Sequence, residues 1–269
     1  MKRLLTIIVA MMTAATSGLI AQGELANPLE PAKGRPRIFI GPVGGYNRSL
    51  HSSGFQSVVG DVLCPDFQQG NANGYYFGFS GEYLLGKPAE SKSSLIARIV
   101  YNAFPANYRE PGDRLPSIAP DNSIVYSSVE HVAEINYGIV DLEVVYKLNL
   151  FNSNFGVVIG PTVGIPVSTT IEQRMELVEP LNARFDKVLV PDGIYTNNDR
   201  AIILRPEGEI EDRAGVRVAV KAGAQYEIPV GRLLLVPCVY YNFGITEVSP
   251  ANNLRINALQ MGVDLRFAI

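Results

Sequence analysis

The residues that could carry out chemistry are few and lie far apart. The chain has only two histidines, His51 and His131, and neither shows a metal-ligand spacing such as His-x-x-x-His. His131 lies between Glu130 and Glu134, a grouping that suits acid/base catalysis at an exposed rim. No nucleophile or base constellation surrounds it, so we expect solvated residues of a strand and predict no catalytic residue.

Metal and disulfide chemistry have equally little support. Asp66, Asn71 and Asn73 could coordinate Ca²⁺, but their spacing lacks the register of an EF-hand, and turn chemistry is the simpler interpretation. Cys64 and Cys238 are too few for a disulfide framework, and whether they pair is left open by the sequence. We therefore predict no metal site and no cofactor.

Composition and the N-terminal residues limit the classes of protein. The 269-residue chain has a formal net charge of -3, which gives no electrostatic reason to expect a nucleic-acid partner. Residues 1–22 have the pattern of a signal peptide, with Lys2 and Arg3 before an apolar run and Ala21 at the cleavage site. We expect residues 23–36 to form a periplasmic stretch and 37–269 a single domain. No later stretch approaches the roughly 18 apolar residues of a membrane helix, which excludes a helical membrane protein.

The dominant pattern is a period of two. At the C-terminus, Leu259, Met261, Val263, Leu265, Phe267 and Ile269 alternate with polar or small residues, which places the apolar side chains on one face of a strand. Seven further segments alternate in the same way, and these are 37–46, 74–85, 95–104, 138–148, 155–167, 213–228 and 232–243. Short connections alternate with long ones, and the predicted long loops are 47–73, 105–122, 169–212 and 244–253. This layout predicts an all-β, eight-stranded antiparallel up-and-down transmembrane β-barrel.

Three details complicate this prediction. Two apolar runs in the third long connection, 187–190 and 201–204, could form a hairpin and widen the barrel to ten strands. The apolar positions are odd from Ser123 to Tyr137 and even from Val140 onward, which a bulge near Gly138 would reconcile. Pro42, Pro161 and Pro237 fall within strands, where we expect local bulges.

The distribution of aromatic, small and charged residues indicates which face is outside. Aromatic residues on the apolar face lie at both strand ends and predict two interfacial girdles, formed by Tyr75, Phe77, Tyr101, Tyr241 and Phe243 at one rim and by Tyr83, Tyr146, Phe155, Tyr226 and Phe267 at the other. The polar face carries charges of both signs, and the glycines that we assign to it are Gly78, Gly156, Gly160, Gly164, Gly215, Gly223 and Gly262. We predict an ion-pair network that plugs the lumen and comprises Glu82, Arg98, Glu143, Lys147, Arg217, Lys221, Glu227, Asp264 and Arg266.

The chain resembles the family of small outer-membrane β-barrel proteins that includes the PorT-like proteins and is described loosely as a porin family. The resemblance is carried by residues 40–44, 78–85, 141–147, 222–229 and 259–267. It implies an integral protein of the bacterial outer membrane whose partners are membrane lipid, the barrel assembly machinery acting on the C-terminal strand, and a secretion-system or envelope protein. A non-enzymatic role through the outer loops is the leading hypothesis. The alternatives are a narrow porin and a soluble lipocalin-like barrel.

Overall fold

The computed structural model describes residues 37–56, 65–85, 91–151, 153–188, 193–210, 212–231 and 233–269. Most of these residues are in antiparallel strands. The strands are β1 (Ile38–Gln56), β2 (Asp66–Leu85), β3 (Ser93–Ile118), β4 (Ile124–Asn149), β5 (Phe155–Glu179), β6 (Ile194–Thr196), β7 (Ala201–Glu209), β8 (Arg217–Tyr226), β9 (Ile228–Val230), β10 (Leu233–Gly244) and β11 (Arg255–Ala268). In the described part of the chain, no helix has the length and apolar character needed to cross a membrane.

Eight of these strands close into a ring. The hydrogen-bonded order is β1, β2, β3, β4, β5, β8, β10 and β11, and β11 pairs again with β1, while the short β9 continues along β10. The eight-stranded barrel is therefore confirmed. The ten-stranded alternative is wrong, because β7 pairs with the far part of β5 and β6 pairs with β7, outside the ring. The predicted second arm, 201–204, lies in β7 and pairs with β6, whereas residues 187 and 188 form a turn and residues 189 and 190 lie outside the described residues.

The strands are much longer than the sequence pattern indicates. β3 and β4 each have 26 residues, whereas about 9–11 tilted residues suffice to cross a membrane. Most of the predicted loops 47–73 and 105–122 are therefore strand. We call the part with the apolar outer wall the basal barrel; it comprises 38–46, 74–85, 93–103, 138–149, 155–167, β8, β10 and β11. The remainder of β1 to β5, with β6 and β7, is the extension.

The change of parity in β4 does not come from a bulge in that strand. β4 keeps its register with β3 from Val140 to Glu130, so its even positions face outward throughout. The register shift next to Gly138 lies on the β5 side, where Ser168 pairs with Gly138, Pro166 pairs with Ile139, and Val167 is the extra residue. The apolar residues of β4 thus move from the outer to the inner face as the strand leaves the basal barrel.

The strand prolines interrupt the hydrogen-bond ladder without shifting its register. Around Pro42 the β1–β11 pairing skips two residues on each strand, and around Pro161 the β4–β5 pairing does the same. Pro237 lies between the segments of β10 that pair with β8 and with β9. Each proline lacks the N–H that one neighbouring strand would require. The expected bulges at these prolines are wrong, since equal numbers of residues are skipped on both strands.

Candidate functional site

The outer wall of the basal barrel is apolar and carries the predicted aromatic residues at both ends. Tyr75, Phe77 and Tyr101 pack together at the end nearer the extension, with ring centroids 5.4 to 6.3 Å apart. Tyr241 and Phe243 are exposed on β10 at the same end. At the other end, the exposed aromatic residues are Tyr83, Tyr146, Phe155, Tyr226 and Phe267. Amphipathic rings that border an apolar wall are typical of membrane interfaces.

The interior of the basal barrel is filled by charged side chains in layers. In the layer farthest from the extension, Lys147 bridges Glu82 and Glu227, and Arg266 joins Glu82 to Asp264, with 2.6 Å between Arg266 Nη2 and Asp264 Oδ2. Ser80 Oγ also donates to Asp264 Oδ1 at 2.6 Å. Apart from Glu227, these side chains are almost fully buried, so each charge depends on its partner.

A second layer lies further along the axis. Lys221 pairs with Glu143, and the Arg98 guanidinium lies 3.6 Å from Glu143 and 3.4 Å from Asp264. Arg98 Nη2 donates to the Tyr240 hydroxyl at 2.8 Å, and that hydroxyl donates to Gln225 at 3.0 Å. The Tyr240 ring also packs under the Arg98 and Lys221 cations. Arg98 thus links the first layer to the second.

A third layer closes the charged region and includes a residue absent from the predicted network. Asp141 lies 3.7 Å from Arg217 and accepts a 2.7 Å hydrogen bond from Asn102, which in turn accepts one from Gln260. With Asp141 included, five cations face five carboxylates along the interior. Its position on the polar face of β4 was the signal that could have identified it. Arg217 also donates to the Ile256 carbonyl at 2.9 Å.

Two glycines on the polar face make room for this network. A Cβ at Gly262 would lie 2.3 Å from the Tyr76 hydroxyl, and one at Gly164 would lie 2.1 Å from Asp141 Oδ1. Both distances are shorter than any contact a Cβ makes, so a larger residue would displace the polar groups. Not every glycine assigned to the lumen lies there: Gly215 is exposed, and an added Cβ would meet no atom within 4 Å.

The interior of the extension is apolar instead of charged. A cluster of buried side chains, which includes Phe55, Phe67, Phe104, Tyr108 and Ile135, fills it directly beyond Arg217, whose guanidinium lies over the Phe104 ring. The sequence does not predict this core, because many of its residues fall in segments that are predicted to be long loops beyond the barrel rim. A second cluster, around Val129, Leu177, Phe185 and Ile202, packs farther out between β4, β5 and β7.

His51 lies inside the apolar core of the extension. Its ring contacts Tyr108 and Tyr137 edge-on, with centroids 6.3 and 6.4 Å apart. Burial lowers the pKa of His51 to about 3, and the positive charge of Arg217 adds to this effect. His51 is therefore neutral at physiological pH and packs as part of a core.

The outer wall of the extension carries exposed ion pairs. Arg174 contacts Glu134 and Glu176 at 2.7 and 2.6 Å, and Arg109 contacts Glu130 at 2.6 Å. His131 lies on the opposite, inner face of β4 and is buried, so it does not join its sequence neighbours in an acid/base group. In the described residues, no group of three or more potential ligands could hold a metal ion.

The remaining polar candidates lie in regular strand. Asp66, Asn71 and Asn73 belong to β2, so the turn interpretation is wrong. Asn71 and Asn73 accept hydrogen bonds from Arg48 of the neighbouring strand. Cys238 is a buried free thiol 3.8 Å from the Tyr76 hydroxyl, and Cys64 lies outside the described residues.

The interior and wall geometry can be compared with known proteins. No family model matches the chain, and no curated protein does. Among solved structures, the chain is similar to Neisserial surface protein A (13% identity, 88% of this chain and 100% of that chain, TM-score 0.31). It is also similar to the attachment invasion locus protein Ail of Yersinia pestis (12% identity, 86% and 99%, TM-score 0.33) and to the transport unit of the autotransporter AIDA-I from Escherichia coli (11% identity, 95% and 97%, TM-score 0.20).

Proposed function

We propose that this protein is a non-enzymatic, integral outer-membrane β-barrel that conducts no solute and acts through its extension. The observation that carries the proposal is that, among the described residues, buried side chains occupy the interior, first the paired charges of the basal barrel and then the apolar core around Phe104. Eight strands leave an interior about wide enough for side chains alone. The apolar outer wall bordered by aromatic residues supports a membrane location over a soluble ligand-binding barrel.

The extension is the part that we assign to partner contacts. Its two apolar clusters make it a folded body and not a set of free loops. Ile124 and Tyr126, near the tip of the β3–β4 hairpin, are both more than 70% exposed, and exposed apolar side chains at a tip suit a protein partner. In line with the PorT-like resemblance, we propose an envelope or secretion component as that partner, with assembly into the membrane through β11.

Planar bilayers test the plugged interior. We expect the purified protein to insert without producing stable conductance, because the ion-pair layers and the apolar core occupy the interior of the described residues. A reproducible open pore would overturn the proposal and establish the narrow porin instead. Membrane fractionation tests the location: heat-modifiable migration in the outer-membrane fraction is expected, and recovery in aqueous extracts without detergent would establish a soluble barrel.

A trimmed variant tests the role of the extension. Ala106 pairs with Ile135, and residues 168 and 213 flank the outer end of the β5–β8 ladder. Short turns that replace 106–135 and 169–212 therefore remove much of the extension and retain the basal ring. We expect this variant to stay heat-modifiable but to fail to restore protein secretion to a strain that lacks the gene. Full secretion by the trimmed variant would contradict the assignment.

A further inference from the structure

A groove lies in the outer wall where the hydrogen-bond ladder between β2 and β3 is interrupted. The two strands pair at Tyr76 and Asn102 and next at Asn71 and Asn107, and the four residues between these points on each strand are unpaired. Pro105 lies in this gap and has no N–H for the ladder. The outer side of the gap is a groove of about 250 Å³ that reaches across β3 to Gly138 and Ser168.

The groove is closed toward the interior by side chains of β1. Asn47 Nδ2 donates to the carbonyls of Tyr75 and Ala103 at 3.0 and 2.9 Å. Ser49 Oγ donates to the carbonyl of Pro105. These bonds satisfy carbonyl groups that the interrupted ladder leaves without a strand partner. The gap is therefore a wall pocket with a fixed floor and not a passage into the barrel.

The lining of the groove has the chemistry of a carbohydrate site. No charged residue lines it, and the polar side chains on its outer side are the amides of Asn73 and Asn136 and the hydroxyl groups of Ser168, Tyr75 and Tyr101. Amides and hydroxyl groups both donate and accept hydrogen bonds, as the hydroxyl groups of a sugar require. The rings of Tyr75 and Tyr101, tilted by 41° with centroids 6.3 Å apart, offer flat apolar surfaces for a sugar ring.

The position of the groove agrees with this chemistry. It lies where the outer wall changes from aromatic, at Phe77 and Tyr101, to polar, at Asn73 and Asn136. In the membrane location proposed above, on which this step rests, that level faces the headgroups of the outer leaflet. At its edge, Arg48 Nη1 donates to Asn73 Oδ1 at 2.7 Å, and a guanidinium in this position suits a phosphate attached to the sugar. The volume is below the roughly 300–1,000 Å³ of sites for drug-sized ligands and suits one ring.

We propose that this groove binds a single pyranose ring, supplied by the headgroup of an outer-leaflet glycolipid or by a free oligosaccharide. The test measures the affinity of the purified protein for two probes: intact lipopolysaccharide in nanodiscs, and the deacylated oligosaccharide prepared from the same lipopolysaccharide. Because the second probe needs no membrane, its result does not depend on the proposed membrane function.

The variants are chosen as a matched pair on one strand face. Ala103→Leu places a larger side chain in the groove, whereas Ala97→Leu makes the same change on the outer face of β3 six residues away, outside the groove. We expect Ala103→Leu to weaken binding at least tenfold and Ala97→Leu to leave it unchanged. Asn136→Ala, an exposed position whose change leaves the wall intact, is expected to weaken binding about fivefold and serves if Ala103→Leu fails to fold.

Each outcome decides the proposal or its source. Binding of both probes with the expected loss in Ala103→Leu supports recognition of the sugar from either source. Binding of intact lipopolysaccharide alone, with the same loss, supports the glycolipid headgroup. Absence of binding to both probes, or equal binding by Ala103→Leu, Asn136→Ala and the unmodified protein, overturns the site. If membrane fractionation finds the protein outside the outer membrane, the proposed function is wrong. Binding of the soluble oligosaccharide would still test the groove in that case.

Discussion

The basal barrel and the extension share continuous strands but have opposite polarity. In the basal barrel, Val263 and Leu142 face outward, and Asp264 and Glu143 are buried inside. In the extension, Glu130 and Glu134 are on the outer wall, and Ile135 and Phe104 are inside. The direction of the side chains follows the pleat in both regions. A period-two pattern therefore reports which face is apolar, while the surroundings of the wall decide whether that face is outside.

The two regions also use charge in different ways. The interior cations and carboxylates have almost no contact with solvent, and most of them have two partners. The ion pairs on the outer wall of the extension are partly exposed, with side-chain exposures from 18% for Arg174 to 53% for Arg109. A charge that loses its partner in a buried site keeps the full cost of desolvation, whereas an exposed charge is hydrated again. The loss of stability caused by substituting a charged residue should therefore be much larger in the interior of the basal barrel than on the outer wall of the extension.

The largest effect is expected from an interior cation. Arg266→Leu leaves Glu82 and Asp264 with fewer positive partners in a buried layer, and the loss of such a partner costs about 3 to 5 kcal/mol. Urea unfolding in lipid vesicles, followed by tyrosine fluorescence because the chain has no tryptophan, measures it. A loss below about 1 kcal/mol would mean that water reaches this layer and that the interior is not plugged.

The ring of strands could be predicted from the sequence because its apolar and polar residues alternate over long segments such as 138–148. The nine charged residues assigned to the lumen all lie on the inward side, but their partners could not be predicted, because pairing across the lumen depends on barrel register. The Arg266 to Glu82 contact, for example, joins residues 184 positions apart in the sequence.

The extension could not be predicted for a different physical reason. Its strands also alternate between apolar and polar residues, but their apolar side chains face inward and not outward. Because the strands are predicted to end at the membrane boundary, residues 105–122 are predicted to be a loop. The parity change before Val140 was the available signal. The sequence favours a bulge near Gly138 as its cause, whereas the parity change marks the level where the wall leaves the apolar band. The extra residue next to Gly138, Val167, lies on β5 and depends on a pairing between strands that the sequence of β4 alone does not contain.

The second prediction tests the polarity of the two outer walls with the same new residue. Val263→Arg places a cation on the apolar wall of β11 and should cost about 2 to 4 kcal/mol near the middle of a bilayer. Thr170→Arg places it on the outer wall of the extension, where a change within about 0.5 kcal/mol is expected. Folding yield and urea midpoints in vesicles measure both. Equal costs at the two positions would show that the boundary between the regions is misplaced.

The third prediction concerns His51 in the apolar core. The folded protein keeps His51 neutral down to a pH of about 3, whereas the unfolded chain protonates it near 6.5. Protonation therefore stabilises the unfolded chain. The contribution of neutral His51 to the free energy of unfolding is complete above pH 6.5 and is lost as the pH falls toward 3. At pH 5 this loss amounts to about 2 kcal/mol, at 1.36 kcal/mol per pH unit.

His51→Leu removes this titration and leaves the carboxylates and His131 in place. The free energy of unfolding of the unmodified protein should fall between pH 7 and 5 by about 2 kcal/mol more than that of the variant. Arg217 on β8 is the charged neighbour that favours the neutral ring, and Tyr108 and Tyr137 are the aromatic groups packed against it from β3 and β4. Parallel pH profiles for the two proteins would show that solvent reaches His51 in the folded state.

The smallest effect is expected from the exposed counterpart of Arg266. Arg174 contacts Glu134, Glu172 and Glu176, yet these carboxylates are about a quarter to two-fifths exposed. Arg174→Leu should therefore cost no more than about 1 kcal/mol at low salt, and the cost should shrink further in 1 M salt, where the Debye length is about 3 Å. The Arg266→Leu loss should change little with salt, because its partners are shielded from solvent ions. A salt-independent loss of several kcal/mol at Arg174 would contradict this expectation. It would mean that ion pairs on the outer wall of the extension stabilise the protein as strongly as the buried ion pairs of the interior.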